Sequence, residues 1–230
     1  MTTTLITGSN KGLGYETARR LIAAGHTVYL GARDPGRGRR AAEELGARPL
    51  LIDVADDASV AAAAKAVEAD GGLDVLVNNA AITGEFIGVA EATAEHLRAP
   101  YETNVLGVVR VTHAFLPLLR RSAAPVVVNV SSGLGSMTRV TTPEALESRF
   151  PGLGYQSSKA AVNMLTVQYA MAFPGMRVNC VDPGYTATDL NGRTGTQTVE
   201  EGAEIIVRMA LLGPDGPTGG FFNAAGPVPW

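Results

Sequence analysis

A single α/β domain with a doubly wound parallel sheet is the fold class that the sequence predicts. Short runs that are apolar nearly throughout alternate with helical stretches along the 230 residues. Such runs suit parallel strands that helices cover on both faces. A glycine-rich turn follows the first run, as in folds of this class. The sequence has no linker and no internal repeat, so we expect one domain over residues 1–230.

The first half of the chain contains four predicted strands joined by three helices. The strands cover residues 3–7, 27–30, 49–52 and 73–77, and the helices cover residues 13–24, 38–45 and 56–69. Gly25 and Gly46 follow the first two helices, in the position where glycine commonly ends a helix. The pair Gly71-Gly72 ends the third helix, which is rich in alanine and so has a high helix propensity.

The second half continues the same alternation. A long helical pattern over residues 101–121 contains Pro117, which we expect to bend the helix or end it early. Thr198 and Glu201 have the spacing of a capping box at the start of the last helix. The remaining predicted strands cover residues 125–130, 177–181 and 219–222, and the remaining helices cover residues 155–172 and 199–212.

Composition and charge exclude several classes of protein. Hydrophobic residues make up 46% of the chain, charged residues 18%, and the net charge is −3. This balance supports one sizeable core and argues against a nucleic-acid or anionic-membrane partner. The only cysteine, Cys180, lies in an apolar run and is expected to be a buried strand residue in a reducing compartment. Without a secretory signal or a run of about 20 apolar residues, the expected location is cytoplasmic.

The glycine-rich turn after the first strand is the first candidate functional site. Gly8, Gly12 and Gly14 precede a helix whose free N–H groups and partial positive charge favour a phosphate. Glycines there let the backbone turn sharply and approach a pyrophosphate. A glycine-rich turn can also be only a turn, but the strand before it and the helix after it favour a dinucleotide site.

Five further motifs accompany the Gly-x-x-x-Gly-x-Gly spacing of this turn. In chain order they are Asn78-Asn79-Ala80, Asn104, Ser131-Ser132, Tyr155-x-x-x-Lys159 and Pro183-Gly184. Together they resemble the short-chain dehydrogenases/reductases, and the carbonyl-reductase-like members in particular. The resemblance runs from Thr4 to about Phe222. It implies a Rossmann-type fold and an oxidoreductase that moves a hydride between a nicotinamide cofactor and a carbonyl or alcohol.

The end of the second strand indicates which cofactor is used. Where NAD-dependent members of the family carry Asp, this chain has Ala32, followed by Arg33, and Lys11 lies in the glycine turn. Two cations near a ribose 2′-phosphate favour NADP(H), with Asp34 expected to point away; the alternative is that both are ordinary surface cations. Asp53 resembles the adenine-binding acid of the family, and its alternative is an N-cap. The other implied cofactor-binding residues are Gly8, Asn10, Gly12, Leu13, Gly14, Val54, Asn79, Ala80, Ala81, Pro183, Gly184, Thr186 and Thr188; local turn bonding is the alternative for the two threonines.

Tyr155 and Lys159 are four residues apart and so share one face of a helix. A nearby ammonium is expected to lower the pKa of Tyr155 toward the working range. The resemblance implies that Tyr155 protonates the carbonyl oxygen and that Lys159 also binds the nicotinamide ribose. It further implies that Ser132 hydrogen-bonds the substrate oxygen and that Asn104 supports a water linked to Lys159. Ser136 is a weaker candidate than Ser132.

Some features of the sequence leave questions open. Ala81 stands where the family usually has glycine, and residues 133–154 form a longer segment than in most members. Monomeric carbonyl reductases of the family carry a longer insertion at this place, so monomer and homo-oligomer (dimer or tetramer) both remain open. Residues 185–197 are expected to form a lid over the substrate. No histidine has a second ligand at metal spacing, so we expect no metal.

The alternative function is a non-catalytic NADP(H)-binding sensor or scaffold. Such a protein would keep the glycine turn without needing Tyr155 or Lys159, so their presence favours the enzyme. A third hypothesis keeps the fold and the tyrosine but performs an elimination or an epimerisation. The substrate itself does not follow from the fold.

Overall fold

The computed structural model describes residues 2–230, which form one eight-stranded sheet with helices on both faces. The strands lie in the order β3-β2-β1-β4-β5-β6-β7-β8, and every neighbouring pair is parallel except β7 with β8. The predicted doubly wound α/β class is therefore confirmed. The strands are β1 (Thr3–Ile6), β2 (Thr27–Ala32), β3 (Arg48–Leu51), β4 (Val75–Asn78), β5 (Val126–Val130), β6 (Arg177–Val181), β7 (Phe221–Asn223) and β8 (Gly226–Pro227).

Helices connect the parallel strands. They are α1 (Gly12–Ala23), α2 (Pro35–Leu45), α3 (Asp57–Ala69), α4 (Ala94–Tyr101), α5 (Gly107–Leu119), α6 (Met137–Thr141), α7 (Gly154–Ala172) and α8 (Val199–Ala210). A π-helical turn, Glu102–Leu106, joins α4 to α5, and 3-10 turns cover Gly133–Gly135, Leu146–Arg149 and Asp189–Asn191. The capping box predicted at the start of α8 is present, because Glu201 N–H donates to Thr198 and Thr198 N–H donates to Glu201.

The two faces of the sheet carry two separate apolar cores. Successive strand residues point to opposite faces, so Leu5 packs with Phe115 on one side while Ile6 packs with Ile206 on the other. Helices α3, α5 and α7 supply the first core, and α1 and α8 supply the second. Within the described residues, no helix has the length and apolar character needed to cross a membrane.

Two predicted helices have clearly different bounds in the structure. Helix α2 begins at Pro35 and not at residue 38, because the Asp34 carboxylate accepts the Arg37 N–H and caps it. The helical pattern expected over residues 101–121 already begins at Ala94 and is interrupted by the π-helical turn. Pro100 lies inside α4 and does not begin a new helix. The short helix α6 and the strand β8 were not predicted.

A buried row of amides and hydroxyls joins β4 and β5 to the helices beside them. Asn78 Nδ2 donates to Asn129 Oδ1 at 2.9 Å and to Thr112 Oγ1 of α5 at 3.1 Å. Asn129 Nδ2 donates to Thr166 Oγ1 of α7 at 2.9 Å. Hydrogen bonds among buried polar groups fix one relative placement of these elements, because any other leaves the groups unpaired. The row therefore places α7 relative to the centre of the sheet.

Replacing the central amide of this row should destabilise the fold. We expect Asn129→Ala to lower the free energy of unfolding by about 2 kcal/mol, since it removes the partners of Asn78 and Thr166. Urea denaturation of the variant and the wild type measures the difference. Asn223→Ala is the matched control, because the Asn223 side chain accepts an exposed hydrogen bond from the Ala225 N–H. This variant should lose less stability. Equal losses of unfolding free energy in the two variants would mean that the buried row stabilises the fold no more than an exposed hydrogen bond does.

Candidate active site

The turn after β1 depends on glycines at defined positions. Gly8 and Gly12 have φ of 62° and 57°, in the left-handed region that glycine adopts at little cost. Gly14 is required for a different reason. A Cβ at Gly14 would lie 2.6 Å from Asn79 Nδ2 and 2.8 Å from Ser9 Cα, both too close. The first turn of α1 can therefore approach the strand ends only when this residue has no side chain.

The turns after β1 and β4 are joined by reciprocal hydrogen bonds. Thr7 Oγ1 accepts the backbone N–H groups of Asn79 and Ala80, both at 3.0 Å. In return, Asn79 Nδ2 donates to the carbonyl oxygens of Thr7 at 2.8 Å and Gly8 at 3.0 Å. Asn79 therefore acts through its side chain on the shape of the glycine turn, and it also borders the cavity described next.

A cavity of about 1540 Å³ opens at the carboxyl ends of the parallel strands. Strand order reverses between β1 and β4, and ligands of doubly wound folds bind at such a switch point. Except for Asn104, all predicted site residues line the cavity: Gly8, Asn10, Lys11, Gly12, Leu13, Gly14, Arg33, Asp53, Val54, Asn79, Ala80, Ala81, Ser132, Tyr155, Lys159, Pro183, Gly184, Thr186 and Thr188. Residues that are far apart in sequence thus meet around one space.

Ser132, Tyr155 and Lys159 meet on one wall of this cavity. Ser132 opens the 3-10 turn after β5, and its hydroxyl is placed to lower the pKa of Tyr155. Lys159 Nζ lies 5.5 Å from the centre of the Tyr155 ring and donates to the Val130 carbonyl at 2.7 Å. The side chains on α7 and the serine turn can therefore reach one substrate atom together.

The expected lowering of the Tyr155 pKa is wrong for this structure. Burial raises the pKa of Tyr155 to about 12, against the lowering effect of the Ser132 hydrogen bond. Burial also lowers the pKa of Lys159 to about 8, because the ammonium is removed from water. Burial thus shifts both side chains toward their neutral forms, so Tyr155 keeps its proton. A protonated tyrosine suits the acid role that carbonyl reduction needs.

The two neighbouring serines point in different directions. Ser131 Oγ donates to Asn163 Oδ1 at 2.5 Å and is buried against α7. Ser132 Oγ borders the cavity and accepts the Leu134 N–H at 3.2 Å. The weaker candidate, Ser136, is buried, caps α6 and donates to the Pro229 carbonyl at 2.6 Å. The geometry thus favours Ser132 as the hydroxyl that reaches a substrate.

Asn104 lies behind the cavity, in the π-helical turn. Its Nδ2 donates to the Ile82 carbonyl at 2.9 Å and to Ser158 Oγ at 3.0 Å, while its Oδ1 accepts the Ile82 N–H at 2.9 Å. The side chain therefore holds the loop after β4 against α7. Its predicted support of a water beside Lys159 remains a prediction.

The basic side of the cavity differs from the expectation. Lys11 Nζ pairs with Asp189 Oδ2 at 2.9 Å, while Arg33 is exposed at the rim. Arg37 and Arg40 of α2, to which sequence reasoning gave no functional role, are exposed and also line a smaller cavity of about 320 Å³ that Lys11 and Asp189 share. They are three residues apart on α2 and so share one face, which was the available signal in the sequence.

Local hydrogen bonds test the alternative roles of Asp53, Thr186 and Thr188. Asp56, and not Asp53, caps α3 by accepting the Ser59 N–H at 2.8 Å, so the N-cap alternative for Asp53 is wrong. Thr186 Oγ1 donates to the Pro183 carbonyl at 3.1 Å, which is the local turn bonding considered as its alternative. Thr188 precedes the 3-10 turn at Asp189–Asn191 and donates its N–H to Asn191 Oδ1 at 3.3 Å.

Sequence reasoning missed a charged cluster on the substrate side of the same cavity. Asp182, Arg139 and Glu147 line it beside the serine turn. Arg139 Nη1 lies 2.6 Å from Glu147 Oε1 and 3.6 Å from Asp182 Oδ2. These residues come from three different segments, so no spacing in the sequence indicated that they meet. Among residues 2–230, no group of three or more His, Cys, Asp or Glu side chains is placed to hold a metal ion.

Comparison with known proteins assigns this fold and cavity to a family. The family model for the short chain dehydrogenases matches residues 2–198. The (+)-neomenthol dehydrogenase of Arabidopsis thaliana is 35% identical over 281 residues, covering 95% of each chain. The chain belongs to the short-chain dehydrogenases/reductases, a family of oxidoreductases. The predicted family is therefore confirmed.

Solved structures of two reductases have the same fold as this chain. NADPH-bound carbonyl reductase from chicken fatty liver superposes with a TM-score of 0.88 at 28% identity, covering 100% of this chain and 99% of that one. Salutaridine reductase from Papaver somniferum superposes with a TM-score of 0.85 at 30% identity, covering 97% and 100%. The Arabidopsis alignment exceeds the 230 residues of this chain, so that relative contains segments absent here.

The buried lysine should make stability depend on pH. Because the pKa of Lys159 is about 8 in the folded chain, unfolding above pH 8 takes up a proton, and stability rises with pH. We expect the free energy of unfolding to rise by about 2 kcal/mol from pH 8 to pH 10 through this group. In Lys159→Met that contribution should be absent.

Urea denaturation at both pH values measures the effect. Lys65→Met, at an exposed position on α3, is the control and should keep the pH dependence of the wild type. Burial raises the pKa of both Tyr155 and Cys180, which act in the opposite direction, so the Lys159 contribution is read as the difference between the wild type and Lys159→Met. Identical pH dependence in the wild type and Lys159→Met would contradict the assigned burial of this ammonium.

Proposed function

We propose that the chain is an NADP(H)-dependent carbonyl reductase or alcohol dehydrogenase with Tyr155 as its general acid and base. The observation that carries this proposal is the meeting of Ser132, Tyr155 and Lys159 on one wall of the cavity that the glycine turn also lines. A non-catalytic NADP(H)-binding protein would need the turn but not the buried lysine beside the tyrosine. Burying an ammonium is costly, and such groups are concentrated at functional sites.

The residues of the cavity fit a dinucleotide phosphate. The left-handed glycines and the absent Cβ at Gly14 let α1 present its N-terminus to the pyrophosphate. Ala32 ends β2 without a carboxylate, and Asp34 is engaged in capping α2, so Arg33 is available to a 2′-phosphate. We assign Lys11, Arg37 and Arg40, together with Arg33, to the basic side of the cavity that would face the 2′-phosphate. The chicken carbonyl reductase with bound NADPH supports the choice of cofactor.

When bound, the reduced cofactor supplies the hydride. Ser132 then donates a hydrogen bond to the substrate carbonyl oxygen and holds it near Tyr155. Tyr155, kept protonated by burial, donates its phenolic proton to the same oxygen as the alcohol forms. Lys159, fixed by the Val130 carbonyl, carries charge that stabilises the resulting phenolate. In the direction of oxidation, the same groups act in the reverse order.

The substrate side of the cavity is apolar apart from its charged cluster. Leu146, Phe150 and Leu153, all partly exposed, line it together with Tyr185, whose ring lies 6.2 Å from that of Phe150. Such walls suit a carbonyl on a largely apolar molecule. Residues 185–197, which carry Tyr185, are proposed as the lid of this side, within the single domain of residues 1–230.

The 2′-phosphate proposal is tested by removing its arginine. We expect Arg33→Ala to weaken NADPH binding at least tenfold while NADH binding stays nearly unchanged, because one charge-assisted hydrogen bond is worth about 1.5–3 kcal/mol. Titration of nicotinamide and tryptophan fluorescence measures both constants. Arg39→Ala removes an exposed arginine of the adjacent α2 and serves as the control. Equal affinity of the wild type for NADPH and NADH would refute the preference.

The catalytic proposal is tested on α7. We expect Tyr155→Phe to lower the rate of NADPH-dependent reduction by roughly 10²–10⁴-fold, since the general acid is lost, and to leave NADPH binding intact. Steady-state rates over a panel of aldehydes, ketones and quinones measure the loss. Tyr169→Phe is the matched control, because Tyr169 lies on the same helix and stacks on Phe173. If the wild-type protein binds NADPH but reduces no carbonyl, the result would favour the alternative hypothesis of a non-catalytic NADP(H)-binding sensor.

A further inference from the structure

A buried carboxylate beside the serine turn has no part in the proton transfer described above. Asp182 directly follows β6, and its side chain is 6% exposed. Burial raises the pKa of Asp182, whereas the backbone N–H groups of Gly184 and Gly133 and the guanidinium of Arg139 lower it. A buried carboxylate is tolerated when hydrogen bonds and a counter-ion compensate for lost hydration, and Asp182 has both.

The contacts of Asp182 join three segments around the cavity. Its Oδ1 accepts the Gly184 N–H at 3.0 Å, in the loop that follows β6. Its Oδ2 also lies close to Gly133, the residue after Ser132, because a Cβ on Gly133 would be 3.1 Å from that oxygen. Arg139 Nη1 lies 3.6 Å from Asp182 Oδ2 and also forms an ion pair with Glu147. The guanidinium therefore attaches the segment after the serine turn to the Asp182 carboxylate.

We propose that Asp182 is a positioning residue that holds the Ser132 turn and the Pro183-Gly184 loop in place around Tyr155. Arg139 and Glu147 fasten residues 137–149 to the same carboxylate. The inference rests on the proposed function, in which Ser132 and Tyr155 bind one substrate oxygen. A displacement of the serine turn would separate these two hydroxyls, and small errors of position reduce rates strongly.

The carboxylate also acts on Tyr155 through its charge. The negative charge of Asp182 adds to burial in raising the pKa of Tyr155, which keeps the proton on the general acid. The charged or titratable groups that line this part of the cavity include Lys159 on α7, Asp182 after β6, Arg139 on α6, Glu147 and Arg149 in their 3-10 turn, Glu85, His96 on α4 and Tyr185 in the proposed lid. Asp182 is the carboxylate among them that acts on Tyr155 directly.

The test compares Asp182→Asn with Asp74→Asn. Asp74 also accepts a backbone N–H, that of Thr3 at 2.8 Å, but it precedes β4 at the opposite end of the sheet. We expect amide hydrogen exchange at residues 132–135 and at Gly184 to become roughly tenfold faster in Asp182→Asn and to stay unchanged in Asp74→Asn. We also expect the alkaline limb of the reduction rate to move roughly half a pH unit lower, because Tyr155 loses its proton more easily.

A second variant keeps the test decisive if Asp182→Asn folds poorly. Arg139→Gln leaves the Asp182 charge uncompensated, so the alkaline limb should move to higher pH while exchange within residues 137–149 rises. Unchanged exchange at residues 132–135 and at Gly184, or equal changes in the Asp74 control, would overturn the inference. If the wild type reduces no carbonyl, the proposed function fails, and the exchange comparison still decides whether Asp182 holds the two segments.

Discussion

The close approach of the turns after β1 and β4 is the constraint on which the whole cavity depends. The Asn79 side-chain amide donates hydrogen bonds to the carbonyl groups of Thr7 and Gly8. Thr7 Oγ1 in turn accepts the backbone N–H groups of Asn79 and Ala80. The contact leaves no room for a side chain at Gly14. Because these two strands lie at the point where strand order reverses, everything that the cavity can bind is placed relative to this junction.

Burial determines the chemistry of the catalytic wall in a way that charge alone does not. Removal from water favours the neutral forms of both side chains, so the pKa of Tyr155 rises while that of Lys159 falls. The row of buried amides that fixes α7 against the sheet keeps both groups in this environment. The same packing that stabilises the domain therefore keeps the phenol protonated, and the fold and the proposed acid function have one common physical cause.

The sequence predicts local features well and long-range pairings poorly. Apolar runs, the glycine turn and the Thr198 capping box depend on neighbouring residues, and the structure contains each of them. The pairing of Lys11 with Asp189 joins positions 178 residues apart, and the charged cluster at Asp182 joins three segments. Neither leaves a signal in local spacing.

Both edges of the sheet carry a proline, which has a consequence for how the chain can associate. Ile52 N–H points inward to Ala32 and Val228 N–H points inward to Phe221. Strand alternation then turns the nitrogens of Pro49 in β3 and Pro227 in β8 outward. A proline nitrogen cannot donate a hydrogen bond, so each edge lacks a donor where an added strand would need one. Growth of the sheet by edge-to-edge addition, the route to aggregation in β-proteins, is disfavoured on both sides.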